Sequence, residues 1–537
     1  MLRAVTLVCL LLAVPVLAVL GSWLVFDAQS MATLRHQWQT VLPEYALNST
    51  LLAVSVGIGV ALVGGGAAAA VSLFEFPLRR LFEWALLLPM AMPAYVLAYA
   101  YTDFLQYGGP LQTALRALTG LQGALWPDVR SLPGAVILFV LCLYPYVYLL
   151  TRAALGERAV PLMEAARLLG AGTLRRIREV ALPLARPALA AGVALALMET
   201  LADYGVGSYF GLATVTTGIY KAWLVMNDRI AAAQLASVLL AGIALLLWLE
   251  RRAQRRLRFA SGRVGATHGA EARPFVLRGG AAALAAAVCA LPVLLGFVLP
   301  VAVLVRLAAQ DTSAMDAAQQ WARFVHWGWT SLGLATTAAA LAVALALALA
   351  FGRRAGAAPL LHAAAGVVSL GYAVPGAVIA VGILLPLAWL QTLAPGAGVT
   401  ALVTGTVAGL LYAYLVRFSA VALQSVEAGY ARVATSVDET ARMLGASRWR
   451  VFAELHAPLL RRSAFAAALL VFVDVMKELP ATLLLRPFDS DTLAVVAYQL
   501  ARDERLGEAA LPSLAIVVVG LVPVLLLSRA IRGRAPG

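Results

Sequence analysis

Charge is what this chain has least of. Only 13% of its 537 residues are Asp, Glu, Lys or Arg, roughly half the share found in a soluble domain. Hydrophobic residues make up 62% and mean hydropathy is +0.87, which excludes a soluble globular protein. Lysine is nearly missing. Lys221 and Lys477 are followed by Ala and Glu, so there is no Gly-Lys-Ser/Thr phosphate loop and the chain supplies no Walker-type ATPase of its own. The three cysteines, Cys9, Cys142 and Cys289, each sit inside an apolar stretch as small packing residues, with no disulfide framework and no CxxC pair. The five histidines are scattered, so no metal or haem site is assigned. No nucleophile motif is present, and an enzyme reading has nothing to stand on. The net charge of +14 does not make nucleic acid a partner, because in a membrane protein the position of basic residues matters more than their sum.

Apolar runs are what the chain has instead, and many exceed the roughly 20 residues a helix needs to cross a bilayer. Their pattern predicts an all-α integral membrane protein with twelve spans, near 4–26, 48–74, 82–102, 131–151, 186–207, 231–249, 279–305, 328–352, 362–390, 399–421, 463–485 and 509–528. The stretch from Ala355 to Val416 has no charged residue and is divided at Pro395-Gly396-Ala397-Gly398. The first run follows Arg3 and is longer than a signal-peptide core, so it is expected to be a retained helix. With the N-terminus inside, most Lys and Arg fall on the cytoplasmic side, which places both termini there. Gly64-Gly65-Gly66-Ala67 suits close helix packing.

The strongest signal is a duplication. Glu164-Ala165-Ala166-Arg167-Leu168-Leu169-Gly170, with Pro183 following, recurs as Glu439-Thr440-Ala441-Arg442-Met443-Leu444-Gly445 with Pro458, at a constant offset of 275 residues. Each copy is a polar, Arg-rich insert between apolar spans. It reads as a short helix, a break at Gly, and a second helical piece ending before Pro. Pro89-Met90-Ala91-Met92-Pro93 corresponds to Gly371-Tyr372-Ala373-Val374-Pro375 at an offset of 282. The chain therefore divides into a first unit at 1–250, a basic linker at 251–278 and a second unit at 279–537. Six spans per half give two parallel repeats. The linker arginines set topology and contact anionic lipid.

The helix after each insert carries acids that are costly at membrane depth. They are Glu199 and Asp203 in the first half and Asp474 and Glu478 in the second, with Lys477 between. Each pair is spaced i, i+4 and shares a helix face. Three readings stay open: the acids line a substrate path, they pair with Lys477 or helix ends and hold the fold, or they face solvent. The segments Thr214–Trp223 and Asp489–Tyr498, which follow them, read as re-entrant or amphipathic pieces on the outer side.

The duplicated inserts resemble the "EAA" loops, here at 157–185 and 427–461, of binding-protein-dependent ABC importer permeases. Glu164, Ala165, Ala166, Gly170 and Pro183 fit that pattern almost fully; Glu439, Ala441, Gly445 and Pro458 fit with departures at Thr440 and Ala457. The resemblance implies a MetI-like, type I permease fold in the bacterial inner membrane. Two copies of a cytoplasmic ATPase would dock on the loops, carrying ATP and Mg, and a periplasmic binding protein would deliver substrate. Met198–Gly205 and Met476–Phe488 look most like the fused ferric iron permeases, which adds Tyr204 to the candidate path residues. Thiamine, polyamine and oxyanion permeases share the architecture. A secondary transporter is the rival class, but would not need the paired loops.

Overall fold

A computed structural model describes residues 2–24, 28–258, 275–310, 317–354, 359–394, 396 and 398–532. Among these the regular secondary structure is helical except for one short parallel pairing of Phe74–Glu75 with Phe275–Val276. The linker residues 259–274, Pro395, Ala397 and the last basic residue, Arg534, lie outside the described residues.

Ten helices are long and apolar enough to span a membrane, and one bent pair raises the number to eleven among the described residues. Twelve were expected. The difference comes from spans that the sequence breaks. The expected 82–102 span is two pieces, Arg79–Ala91 and Ala94–Thr119, bent by 92°. Met92 and Pro93 at the corner are extended, because proline has no N–H to donate and disfavours helix in the residue before it. The matching 362–390 span breaks in the same way. Helix Pro359–Leu370 gives way to a tight turn at Gly371–Ala373, and Gly376–Leu393 begins after an extended Val374-Pro375. The expected 399–421 span starts late: a short helix, Val399–Gly405, precedes an extended Thr406, and the span proper is Ala408–Tyr430. The helix Ala457–Lys477 carries Arg461, Arg462, Asp474 and Lys477, too many charges for a plain apolar span.

Two compact units result, and each draws on both halves of the sequence. One consists of Met1–Gln39, Gly218–Leu240 and Ala314–Val496; the other of Thr40–Thr217, Ala241–Ser313 and Ala497–Gly537. The opening helix of each half is thus packed with the core of the other repeat. Leu2–Gly21 lies against Gly376–Leu393, and Tyr412 donates to the Leu11 carbonyl. In the other unit, Tyr101 donates to the Leu295 carbonyl at 2.7 Å and Arg306 pairs with Asp103. The repeat sets register but not neighbours, since lipid-facing apolar helices carry little partner specificity in their composition. Gly64 does allow the close packing expected of it: a Cβ there would fall 2.6 Å from the Tyr144 carbonyl of the facing helix.

Candidate functional site

The two inserts fold alike at their tips. In the first, the helix Leu132–Leu168 ends when Gly170 takes φ +83°, its N–H bonding Arg167 at 2.9 Å while Ala171 N–H reaches Ala166 at 3.0 Å. In the second, Thr435–Met443 ends at Gly445 with φ +80°, and Gly445 and Ala446 bond Arg442 and Ala441 at 2.9 and 3.0 Å. These paired bonds are the left-handed glycine cap that satisfies a helix's last carbonyls. Glu164, Ala165, Glu439, Gly170 and Gly445 are exposed, and Ala166 and Ala441 are half-buried. One expectation fails here. The second helical piece does not stop before its proline; it passes through a wide π turn, Ile177–Ala181 or Val451–His456, into Leu182–Ala202 or Ala457–Lys477. Pro183 and Pro458 lie in the first turn beyond, where the absent N–H is tolerated. Each insert is therefore joined without a gap to the acid-bearing helix behind it.

Sequence reasoning passed over the residues that stand out most. Leu168 and Leu169 are 84% and 89% exposed, and their counterparts Met443 and Leu444 are 89% and 83% exposed. An apolar pair is thus presented twice at one register. The signal was in the string itself, two apolar residues between the last Arg and the Gly. Repeated ion pairs, Arg175–Glu179 and Arg450–Glu454, both at 2.9 Å, brace the exposed side, though such exposed pairs contribute only about 0.5 kcal/mol.

Below the second tip, Asp438 is buried. Its Oδ2 accepts from Arg354 Nε at 2.6 Å and its Oδ1 lies 2.8 Å from His456 Nε2. Burial alone would raise the Asp438 pKa, but the hydrogen bonds and charges of Arg354 and His456 outweigh it and hold the carboxyl below its ordinary value.

The acids behind the inserts divide in two. Asp203 and Glu478 both terminate their helices in extended conformation and cap the next short helix. Asp203 Oδ1 accepts from Val206 N–H at 2.8 Å, and Glu478 Oε1 from the aligned Ala481 N–H at 2.9 Å. The i+4 acid is thus a capping residue in both repeats. Glu478 goes further: Oε2 accepts from Thr482 N–H at 3.0 Å and Thr482 Oγ1 at 2.7 Å, and Arg417 lies 3.2 Å from Oε1. With its side chain 1% exposed, Glu478 has its carboxylate engaged within the protein, and the cation against it is Arg417, which the sequence did not single out. Glu199, Asp203, Asp474 and Lys477 are half-buried, and Tyr204 is buried with its ring 5.9 Å from Tyr498. The segments beyond fold as short helices, Gly205–Tyr209 and Val215–Tyr220 in one repeat, Pro480–Leu485 and Leu493–Arg502 in the other. Among the described residues no three His, Cys, Asp or Glu side chains converge to hold a metal.

A duplicated, all-helical membrane permease with one exposed insert per repeat is the class these features define. The chain belongs to the family of binding-protein-dependent transport system inner membrane components, whose model matches it twice, at residues 61–259 and 342–534. Each match contains one insert and one acid pair. The chain is 24% identical to the Fe(3+)-transport system permease protein FbpB 2 of Haemophilus influenzae over 505 residues, 91% of this chain and 90% of that one. It is 28% identical to the molybdenum transport system permease protein ModB of Escherichia coli K12 over 230 residues, 41% of this chain and 96% of the relative. To the sulfate transport system permease protein CysT of Salmonella typhimurium it is 30% identical over 263 residues, 46% and 89% of the two chains. The iron relative matches nearly end to end, whereas the other two match about half of this chain.

Proposed function

We propose that this chain is the membrane-spanning subunit of an ATP-driven importer, with both termini cytoplasmic and ferric iron as its substrate. The observation that carries the coupling is the pair of inserts, each an exposed apolar couple on a glycine-capped helix fused to an acid-bearing helix. Two ATPase subunits, holding ATP and Mg, cover Leu168-Leu169 and Met443-Leu444. Their closure moves each insert as a rigid piece and, through the unbroken π turn, the helix behind it. Access then alternates between a periplasmic binding protein and the cytoplasm, and ATP hydrolysis stays on the partner subunit.

Iron is favoured by the end-to-end likeness to an Fe(3+) permease and by half-buried carboxylates on the helices that follow the inserts. Glu199 and Asp203 in the first repeat, and Asp474 in the second, each offer a hard cation an oxygen contact in transit. Glu478 serves the fold instead. A second reading, an oxyanion substrate, draws on Arg417 and Lys477, two cations in the second repeat where the first has Cys142 and Ala202, and on the molybdenum and sulfate relatives.

The test is uptake of radiolabelled Fe(III), molybdate, sulfate and thiamine by cells lacking the gene and by cells complemented with it. Iron uptake restored by the intact gene and cut by Glu199→Gln/Asp203→Asn/Asp474→Asn, with normal membrane levels, supports the iron reading. Restoration of an anion or thiamine in place of iron sinks it and leaves the importer architecture standing.

A further inference from the structure

The two inserts are attached to their spans in different ways. In the first repeat the span and the insert are one helix, Leu132–Leu168, 37 residues without interruption. In the second the span ends at Tyr430, Ala431 to Ala434 form a turn, and the insert helix starts afresh at Thr435. A continuous helix transmits a displacement along its axis; a four-residue turn bends unless something braces it.

The residues at the base of each insert differ in a matching way. At the 275 offset, Leu155, Met163 and Ala181 of the first repeat correspond to Tyr430, Asp438 and His456 of the second. The first three are buried together in an apolar cluster with Leu73 and Ala185. Their counterparts are buried too, but as a polar chain: Tyr430 OH lies 3.2 Å from His456 Nδ1, and His456 Nε2 lies 2.8 Å from Asp438 Oδ1. Arg354, the last residue of helix Ala317–Arg354, completes the chain. Besides Asp438 it donates to the carbonyl of Tyr430 at 3.2 Å and of Ala434 at 2.9 Å, so it holds the last residue of the span and the last residue of the turn. Phe351 of the same helix closes the His456 ring edge-on, and Arg353 pairs with Glu427 one turn back along the span.

We propose that Arg354, Asp438 and His456 are positioning residues that brace the second insert across the break in its helix, doing with ion pairs what the first repeat does with helix continuity. The brace fixes the insert's angle to helix Ala317–Arg354; its consequence for transport rests on the reading of the inserts as ATPase docking sites. Such a brace is specific to the second insert, so damage to it acts on that insert alone. Arg354→Gln and Asp438→Asn share the loss of one contact, so their effects should combine to less than the sum.

The experiment uses the full-length chain in proteoliposomes with its ATPase and binding protein. Trypsin cleavage is timed at Arg442 and Arg448 of the second insert against Arg167 of the first, and Fe(III) moved per ATP hydrolysed is measured alongside. Each single variant should speed cleavage at the second insert by on the order of tenfold, because the charge-assisted hydrogen bond between Arg354 and Asp438 is lost. The first insert should cleave unchanged, and Fe(III) moved per ATP should fall while hydrolysis continues. The double variant should fall well short of the about hundredfold that independent effects would give, and Asp438→Glu should recover most of the protection. Unchanged cleavage, loosening of both inserts together, or additive effects would overturn the brace. If the wild type retains no ATPase or moves no Fe(III), the docking or substrate reading fails, while the cleavage comparison still decides the brace.

Discussion

Replacing Glu478 by alanine separates a structural acid from a path-lining one. The carboxylate takes four hydrogen bonds, from Arg417, Ala481 N–H, Thr482 N–H and Thr482 Oγ1. Its side chain is 1% exposed and that of Arg417 10%. Alanine leaves a guanidinium and two amide donors buried without that acceptor, a loss of about 3–5 kcal/mol. That is a large part of a typical folding free energy of about 5–15 kcal/mol. At the aligned position, Asp203→Ala loses one cap to Val206 N–H, worth about 1 kcal/mol. Removing both ions, as Arg417→Met/Glu478→Met, should recover most of the loss, because only the two amides remain uncapped. Thermal unfolding of the purified chain, followed by tryptophan fluorescence, gives the order: Glu478→Ala far below wild type, Asp203→Ala slightly below, the double Met variant between them. Suppose instead that Glu478→Ala unfolds with the wild type yet imports nothing. Then the carboxylate belongs to the path, and the structural argument is wrong.

Three further outcomes follow from the same geometry. Gly170→Ala and Gly445→Ala meet no atom within 4 Å, so their cost is backbone conformation alone at φ +83° and +80°; each should cost about 1–2 kcal/mol of insert stability, with Asn better tolerated, as read by protease resistance of the insert. Neutralising Arg175–Glu179 or Arg450–Glu454 should change stability by less than about 1 kcal/mol, because both pairs are exposed. For Asp438 the folded carboxyl titrates below its ordinary value, so its stabilisation is complete above the unfolded value of about 3.9 and is lost as pH falls through the lower folded value. Protease protection of the second insert should therefore persist from neutral to mildly acidic pH and disappear below that range, and Asp438→Asn should lack the protection at every pH.

The sequence was most legible where the repeat doubled the signal. Gly170 and Gly445 were read as breaks and are left-handed caps, since little else fits that conformation after a helix. The alignment of Asp203 with Glu478 was visible, but not that both cap a following helix, which depends on backbone direction after the helix ends. Arg417 was hidden because its partner lies 61 residues away in the chain. The span count failed at Pro89–Pro93 and Gly371–Pro375, both noticed as repeats, because hydropathy is blind to a corner inside an apolar run. The exchange of Leu2–Gly21 into the other repeat's unit left no mark in composition at all.

The most direct test of the account is retention of the partner ATPase by the full-length chain when the exposed tips are made acidic, as Leu168→Asp/Leu169→Asp and Met443→Asp/Leu444→Asp, separately and together. These side chains are almost wholly exposed, so the chain should fold and unfold as wild type does. The account predicts weakened retention and weakened hydrolysis stimulated by binding protein for either pair, and loss of both when the pairs are combined. Full retention and stimulated hydrolysis in the combined variant would contradict it.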